Sequence, residues 1–386
     1  MGRILLAFCL IIVWSSIDAS LLGYKRKDPM FDWSKMQGKS GKEVLDAFKL
    51  FKTKFKKSYK SAEEETFRMN IFIENHNKIV KLNEEARRNN ESVVYGVNKF
   101  NDWTDDEFRS LFRKGPSTFD HEFPRYDPIS HKLVNSTRSK RQVRLPPRVD
   151  LREVKINGNY ILPEVKDQGH CGCCWAFAAV AVAETANALV NGGKMTYLSD
   201  QEVCDCANGY SPGCFGGHAF EGLKFAYTRG LTSEYRYPYD DGRANYTGMC
   251  RRIKPVMKLR RYFSFTPRHP TKTLFEIKDS LNYVQTPIAV SFEIGDKFRY
   301  YKEGYLVHED CKDMDEPLYH SANIVGYFSD WERGRLYDFY ILRNSWGYRW
   351  GDGGYVYVAA GRNWCGIEDE PLSGEMRPAS YYRNNY

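Results

Sequence analysis

The chain has 386 residues, 42% hydrophobic and 27% charged, which suits one large folded unit with an accessory segment and excludes disorder throughout. Its formal charge of +8 arises from 57 basic and 49 acidic residues mixed along the chain, so the overall balance does not point to nucleic acid. No repeat or low-complexity tract is evident.

The chain opens with Arg3, an apolar run from Ile4 to Trp14, then small and polar residues up to Ala19. That is the layout of a secretory signal peptide, expected over residues 1–19. About ten apolar residues are too few for a membrane-crossing helix, and no later stretch is long enough either. A secretory route, to a lysosome or the extracellular space, permits disulfides and glycans, and sequons stand at Asn90, Asn135 and Asn245. Without Cys9, nine cysteines remain, so at least one thiol stays unpaired.

Glu64, Arg68, Phe72, Asn75, Ile79 and Asn83 recur at helical spacing and predict one face of a helix. Gly96-Val-Asn98-Lys-Phe100-Asn-Asp102 then alternates as a short strand would. These two patterns resemble the paired propeptide signatures of cathepsin L-like proteases. The resemblance implies a helical inhibitory propeptide over residues 20–144, running backwards through the cleft of a peptidase domain at 145–386. Before residue 145 the chain, once its signal is gone, is cysteine-free and charged; after it come all nine cysteines. The segment from Phe123 to Arg144 reads as an exposed linker, and its Arg138-Ser-Lys-Arg141 resembles a convertase site, an alternative to self-cleavage at acid pH.

Gln168-Gly-His-Cys171-Gly-Cys173-Cys174-Trp175-Ala-Phe177 leads into an Ala- and Val-rich run that stops at Gly192-Gly193. Cys174 therefore stands at a helix amino end, where unpaired N–H groups favour a thiolate. The segment resembles the papain-family active-site run, with Cys173 where Ser or Ala is usual. A metal site remained the alternative, because Cys171/Cys173 and Cys204/Cys206 are C-x-C pairs. Tyr319-His320-Ser-Ala-Asn-Ile-Val-Gly326 matches the family's histidine strand, 146 residues after Cys174 and inside the roughly 130–150 expected. Tyr340-Ile-Leu-Arg-Asn344-Ser-Trp346 resembles its asparagine segment.

The resemblance implies Cys174 as nucleophile, His320 as base, Asn344 as orienter of the imidazole and Gln168 as oxyanion donor, with no metal and no cofactor. It also implies bridges Cys171–Cys214, Cys206–Cys250 and Cys311–Cys365; parity then invites a fourth between Cys173 and Cys204. Gly216, Gly217, His218, Ala219, Ser291, Ser321, Trp346 and Glu370 correspond to substrate-binding positions, His218 and Ala219 facing the cleft. Glu370 departs from the cathepsin L pattern and would let the second specificity pocket take Arg as well as apolar residues; its alternative is a solvent-facing loop carboxylate. Leu151 for Trp, extra residues at 157–160, Tyr319 and the tail to Tyr386 are further departures.

The expected fold is α+β: a papain-like pair of lobes, one helical and one β-barrel-like, behind an N-terminal helical prodomain. The expected function is a monomeric cysteine endopeptidase made as a zymogen. Its partners would be protein or peptide substrates, its own propeptide and cystatin-type inhibitors. A papain-fold protein that binds peptides without cleaving them is the competing reading, and intact Cys174, His320, Asn344 and Gln168 argue against it.

Overall fold

The computed structural model describes residues 41–114, 123–130, 144–207, 209, 211, 213–240, 247–267, 269–311, 317–378 and 380–382. The N-terminal part carries α1 (Gly41–Phe55), α2 (Ala62–Arg88), β1 (Val94–Tyr95), α3 (Asp105–Arg109) and β2 (Arg113–Lys114). The side chain of Ser61 accepts the Glu64 amide and starts α2, with Glu63 to Glu65 in the first turn and Arg87 and Arg88 in the last.

The polar members of the α2 stripe hold the returning chain. Arg68 forms a two-pronged ion pair with Glu107 at 2.6 and 2.8 Å and also donates to the Asp102 carbonyl. Asn75 donates to the Asn101 and Trp103 carbonyls, and Asn83 exchanges two hydrogen bonds with the Tyr95 backbone. These bonds correct the strand expected over 96–102: only Val94–Tyr95 is extended, and 99–102 is a turn. The Asn98 side chain accepts the Phe100 amide, and Asn101 accepts the Asn98 amide, a local alternative that competes with strand pairing.

Next come β3 (Val149–Asp150), the hairpin β4 (Lys155–Ile156) and β5 (Asn159–Tyr160), then α4 (Cys174–Val190), α5 (Asp200–Cys206) and α6 (Ala219–Thr228). Every residue of α4 from Cys174 to Leu189 is buried, as its Ala- and Val-rich run predicts, and Glu184 within it is paired with Lys166. At Gly193, φ is +86° and a Cβ would stand 2.3 Å from the Ile156 carbonyl oxygen, so only glycine fits this helix stop.

The C-terminal half supplies β6 (Arg261–Ser264), α7 (Pro270–Tyr283), β7 (Ile288–Glu293), α8 (Asp296–Arg299), β8 (Tyr301–Glu303), β9 (Tyr305–Leu306), β10 (Leu318–Glu332), β11 (Arg335–Arg343), β12 (Tyr355–Ala359) and β13 (Leu372–Glu375). Among the described residues the main sheet runs β6-β13-β7-β10-β11-β12-β9, antiparallel except at β12–β9, with β2 and β3 also paired to β10. The α4 lobe and the sheet lobe have separate core clusters, and α4 packs on β7, β10 and β13 between them. Phe100, Trp103, Phe108 and Phe112 of the N-terminal part belong to the sheet lobe's cluster, and β1 pairs with β8. The N-terminal part is thus docked through one shared apolar core.

Candidate active site

Cys174 is the first residue of α4, and the backbone N–H of Ser321 in β10 donates to its Sγ at 3.4 Å. The preceding residue, His320, has Nε2 2.7 Å from Asn344 Oδ1, an acceptor that also takes the Ser345 amide at 2.8 Å. That geometry places the proton on Nε2 and leaves Nδ1, which is buried without a partner. Gln168 is tied to the same segment: its amide donates to the Ser345 carbonyl at 2.9 Å, and Ser345 Oγ donates to its Oε1 at 2.6 Å. Three stretches far apart in sequence, 168–174, 320–321 and 344–345, therefore meet at one point.

Burial dominates the electrostatics of this site. It pushes the Cys174 thiol up to about 11, against the helix amino end and the Ser321 hydrogen bond, which act the other way. It also pulls His320 down to about 4, with only the Asn344 bond opposing it. Phe292, Phe298 and Trp346 surround the imidazole at ring separations of 5.8, 5.9 and 4.7 Å. In this closed state burial favours the neutral form of each group, against the thiolate expected from the helix dipole alone.

The cover is the N-terminal part. Phe112 stands edge-on to His320 at 5.6 Å. Arg113 follows in β2, opposite Tyr319, and its guanidinium lies 4.9 Å from that ring. At Gly216, φ is +102° and a Cβ would come within 2.7 Å of the Arg113 Cβ, so the glycine is what lets this backbone lie close. Cys174, His320 and Asn344 thus lie together beneath Phe112 and β2.

A model described as "Papain family cysteine protease" matches residues 145–375, and one described as "Cathepsin propeptide inhibitor domain" matches 48–108. The chain belongs to the papain family of cysteine proteases. It is 33% identical to Pro-cathepsin H of Medicago truncatula over 83% of both chains. It is equally 33% identical to Cathepsin L1 of Drosophila melanogaster, over 84% of this chain and 83% of that one. The solved digestive procathepsin L 3 of Tenebrio molitor larval midgut superposes with a TM-score of 0.70 at 29% identity, covering 88% of this chain and 100% of that one. This papain-family protease is accordingly made as a zymogen whose propeptide is its intramolecular inhibitor.

Around the cleft of the protease, Ser291 and Ser321 share a hydrogen bond of 3.1 Å across β7 and β10, and Trp346 is buried against the imidazole. Gly217 serves the interior: a Cβ there would sit 2.5 Å from the Trp175 ring. His218 and Ala219, expected to face the cleft, are both buried, and Ala219 joins the helical lobe's core because α6 starts there and packs on α4. Glu370 is not a solvent-facing loop residue: its Oε1 is buried without a hydrogen-bond partner. Desolvation raises this carboxyl to about 7, against the pull of Arg113, with Asp369 adding to the rise.

The structure bridges Cys171–Cys214, Cys206–Cys250 and Cys311–Cys365. The fourth bridge invited by parity is absent: Cys173 and Cys204 are buried thiols. Cys173 Sγ is engaged by the Tyr239 hydroxyl at 3.2 Å, and Cys204 Sγ contacts the bridged Cys171 sulfur at 3.8 Å. With Cys171 and Cys206 in disulfides, neither C-x-C pair offers two thiolates to a metal. Asn90 is exposed just past α2. The signal segment, Asn135, Asn245 and Arg138 to Arg141 lie outside the described residues. Among the described residues, no helix is long and apolar enough to cross a membrane.

Sequence reasoning missed Ser345, although it adjoins Asn344 in the quoted motif, and Tyr239, whose hydroxyl donates to the Gln168 carbonyl at 2.7 Å. It also missed Arg299, which has no motif around it, and the propeptide's His76, which adjoins Asn75 but lies off the polar stripe. Both ring nitrogens of His76 are buried without partners, and burial lowers its basicity below the ordinary 6.5. A propeptide released or unfolded binds that proton more readily than the docked one, so docking is fully favoured above about pH 6.5 and weakens as pH falls below it. His76→Phe should shift the pH midpoint of zymogen activation downward by about half a unit, measured by hydrolysis after stepwise acidification. An unchanged midpoint would remove His76 from the acid response.

Proposed function

We propose that the mature protein is an endopeptidase in which Cys174, His320, Asn344 and Gln168 carry the reaction, and that Glu370 lets its second specificity pocket take arginine as well as apolar side chains. The observation that supports this most is the Asn344–His320 hydrogen bond, because it leaves Nδ1 as the ring nitrogen able to exchange a proton with the neighbouring thiol. Once the propeptide has left, Cys174 Sγ attacks the scissile carbonyl while its proton passes to His320. The imidazolium then gives that proton to the departing amine as the C–N bond breaks. Water, deprotonated by His320, hydrolyses the thioester. Gln168 donates one side-chain N–H to the Cys171 carbonyl, which leaves a second for the developing oxyanion, a contribution of about 3 kcal/mol in comparable sites.

Arg113 supports the pocket assignment, since the propeptide places this cation between Gly216 and Tyr319 within the field of Glu370. Routing to a lysosome or the extracellular space follows from the signal-like start, and protein or peptide substrates follow from the chemistry.

Hydrolysis of Phe-Arg and Arg-Arg fluorogenic peptides by acid-activated protein, with Cys174→Ala as control, tests the reading. Activity blocked by an epoxide inhibitor and absent from the control is expected; inert, correctly processed protein would favour a peptide-binding role. Glu370→Ala should lower kcat/KM for Arg-Arg about tenfold while leaving Phe-Arg within about twofold, the loss of one charge-assisted contact. An unchanged ratio would reject the pocket assignment alone.

A further inference from the structure

We infer that the helical lobe carries a second binding surface, a linear cationic row fitted to a sulfated polysaccharide. The segment Cys250-Arg-Arg-Ile-Lys-Pro-Val-Met-Lys-Leu-Arg260 contains five basic residues and no acidic one. Arg251, Arg252, Lys254, Lys258 and Arg260 are all exposed, whereas Met257 and Leu259 point inward and fasten the segment to the lobe core. Met257 and Leu259 also hydrogen-bond through their backbones to Leu231 and Ala226. Arg229, at the end of α6, adds a sixth exposed cation: the next residue, Gly230, packs its backbone against Pro255, Met257 and Lys258. Arg229, Arg251 and Arg252 line one cavity, whose only acidic wall residue is the buried Glu202, which takes the Thr232 amide and lies within the field of Arg229.

None of these six cations makes an ion pair within the described structure, whereas the adjoining Arg261 pairs with Glu375. Five exposed cations along a segment at most about 30 Å long, with Arg229 beside them, set up a strong local potential on a chain whose net charge hides it. An extended polyanion matches that shape. Of the aromatic rings at the row, Tyr237 lies buried beneath the Arg251 guanidinium at 3.9 Å and Phe225 lines the cavity half-buried against the lobe core, so neither stands free as a platform for stacking bases. Sulfate groups need only charge and N–H donors, which arginine supplies in pairs. None of these residues belongs to the cleft, and all lie in the part that remains after the propeptide departs. The surface would hold the active enzyme on sulfated polymers without engaging its substrate.

The test uses the full precursor and its acid-activated form on immobilised heparin. The triple variant R251E/R252E/K254E is compared with K302E/R333E/R335E, an equal charge change at exposed positions of the other lobe. The row variant is expected to bind at least about tenfold more weakly at 0.15 M salt, with a shallower dependence of affinity on salt, while the control stays within about twofold. Both should hydrolyse Phe-Arg peptides like the parent, which verifies folding. Equal losses in the two variants would reduce the effect to net charge and overturn the site. Tighter binding of an RNA oligonucleotide or of anionic vesicles than of heparin would overturn the ligand class.

Discussion

Iodoacetamide should alkylate Cys174 in the intact precursor about a thousandfold more slowly at pH 7 than after the propeptide is removed. In the closed state the thiol is pushed up to about 11 by burial, which leaves on the order of one molecule in ten thousand as reactive thiolate. His320, drawn down to about 4, supplies no counter-charge while Phe112 covers it. Removing the cover readmits water to both groups, so the proton can move from sulfur to ring and the helix amino end can stabilise what forms. Mass-spectrometric labelling at the Cys174 peptide over time reads the effect, and buried Cys173 and Cys204 serve as internal references. Equal rates before and after activation would mean that the propeptide blocks substrate without altering the nucleophile.

The second large effect should come from Arg299, which is 1% exposed and reaches only the propeptide with its guanidinium hydrogen bonds. It donates to Asp105 Oδ1 at 2.8 Å, to the Trp103 carbonyl at 2.9 Å and to the Phe100 carbonyl at 3.2 Å. Arg299→Met removes all three, while the Trp103 carbonyl keeps the Asn75 donor, the Phe100 carbonyl keeps the Trp103 amide and half-exposed Asp105 keeps Lys78, a change of about 1.5–3 kcal/mol. Propeptide inhibition should weaken at least about tenfold, so the precursor should show activity at neutral pH before any acid treatment. The mature variant should keep its kcat/KM on Phe-Arg peptides and its Tm within about 3 °C, because its lost partners have left with the propeptide. A latent Arg299→Met precursor would show that the apolar cover of Phe100, Trp103 and Phe108 suffices.

The same contacts set the sign of the acid response. Asp105, with its ammonium and guanidinium partners Lys78 and Arg299 outweighing desolvation, and Glu107, with Arg68 and the Thr104 cap doing so, titrate below their ordinary values. The contribution of Asp105 to docking and that of Glu107 to the propeptide's own fold are present above the ordinary carboxylate range and vanish as pH falls through the lowered values. Glu370 works in the opposite sense: its carboxyl is raised, so protonation eases its burial under the propeptide and acid favours closure there. Acid opening therefore rests on the α2–α3 carboxylates and His76, not on the specificity pocket.

Much of the candidate site was legible because its signals are local. A nucleophile at a helix start needs a loop, a cysteine and an apolar run, and a base before a buried strand needs a histidine and alternating bulk. The polar stripe of α2 was legible as a face, though its partners were not. Gly96 to Asp102 misled because Asn98 and Asn101 satisfy backbone groups with their own side chains, which periodicity cannot register. The cationic row was written openly at 251–260, yet chain-wide charge mixing masked it until the fold showed which cations lack partners.

The sequence by itself determined the family resemblance, the propeptide–peptidase order and the residues offered for chemistry, since each depends on neighbours within about ten positions. Only the tertiary structure decided their state. It set Phe112 over His320, Arg299 into the propeptide, Ala219 into a core and Cys173 beside Tyr239. Those contacts join residues tens to hundreds of positions apart, and the desolvation they impose outweighs the local helix field that argued for a thiolate.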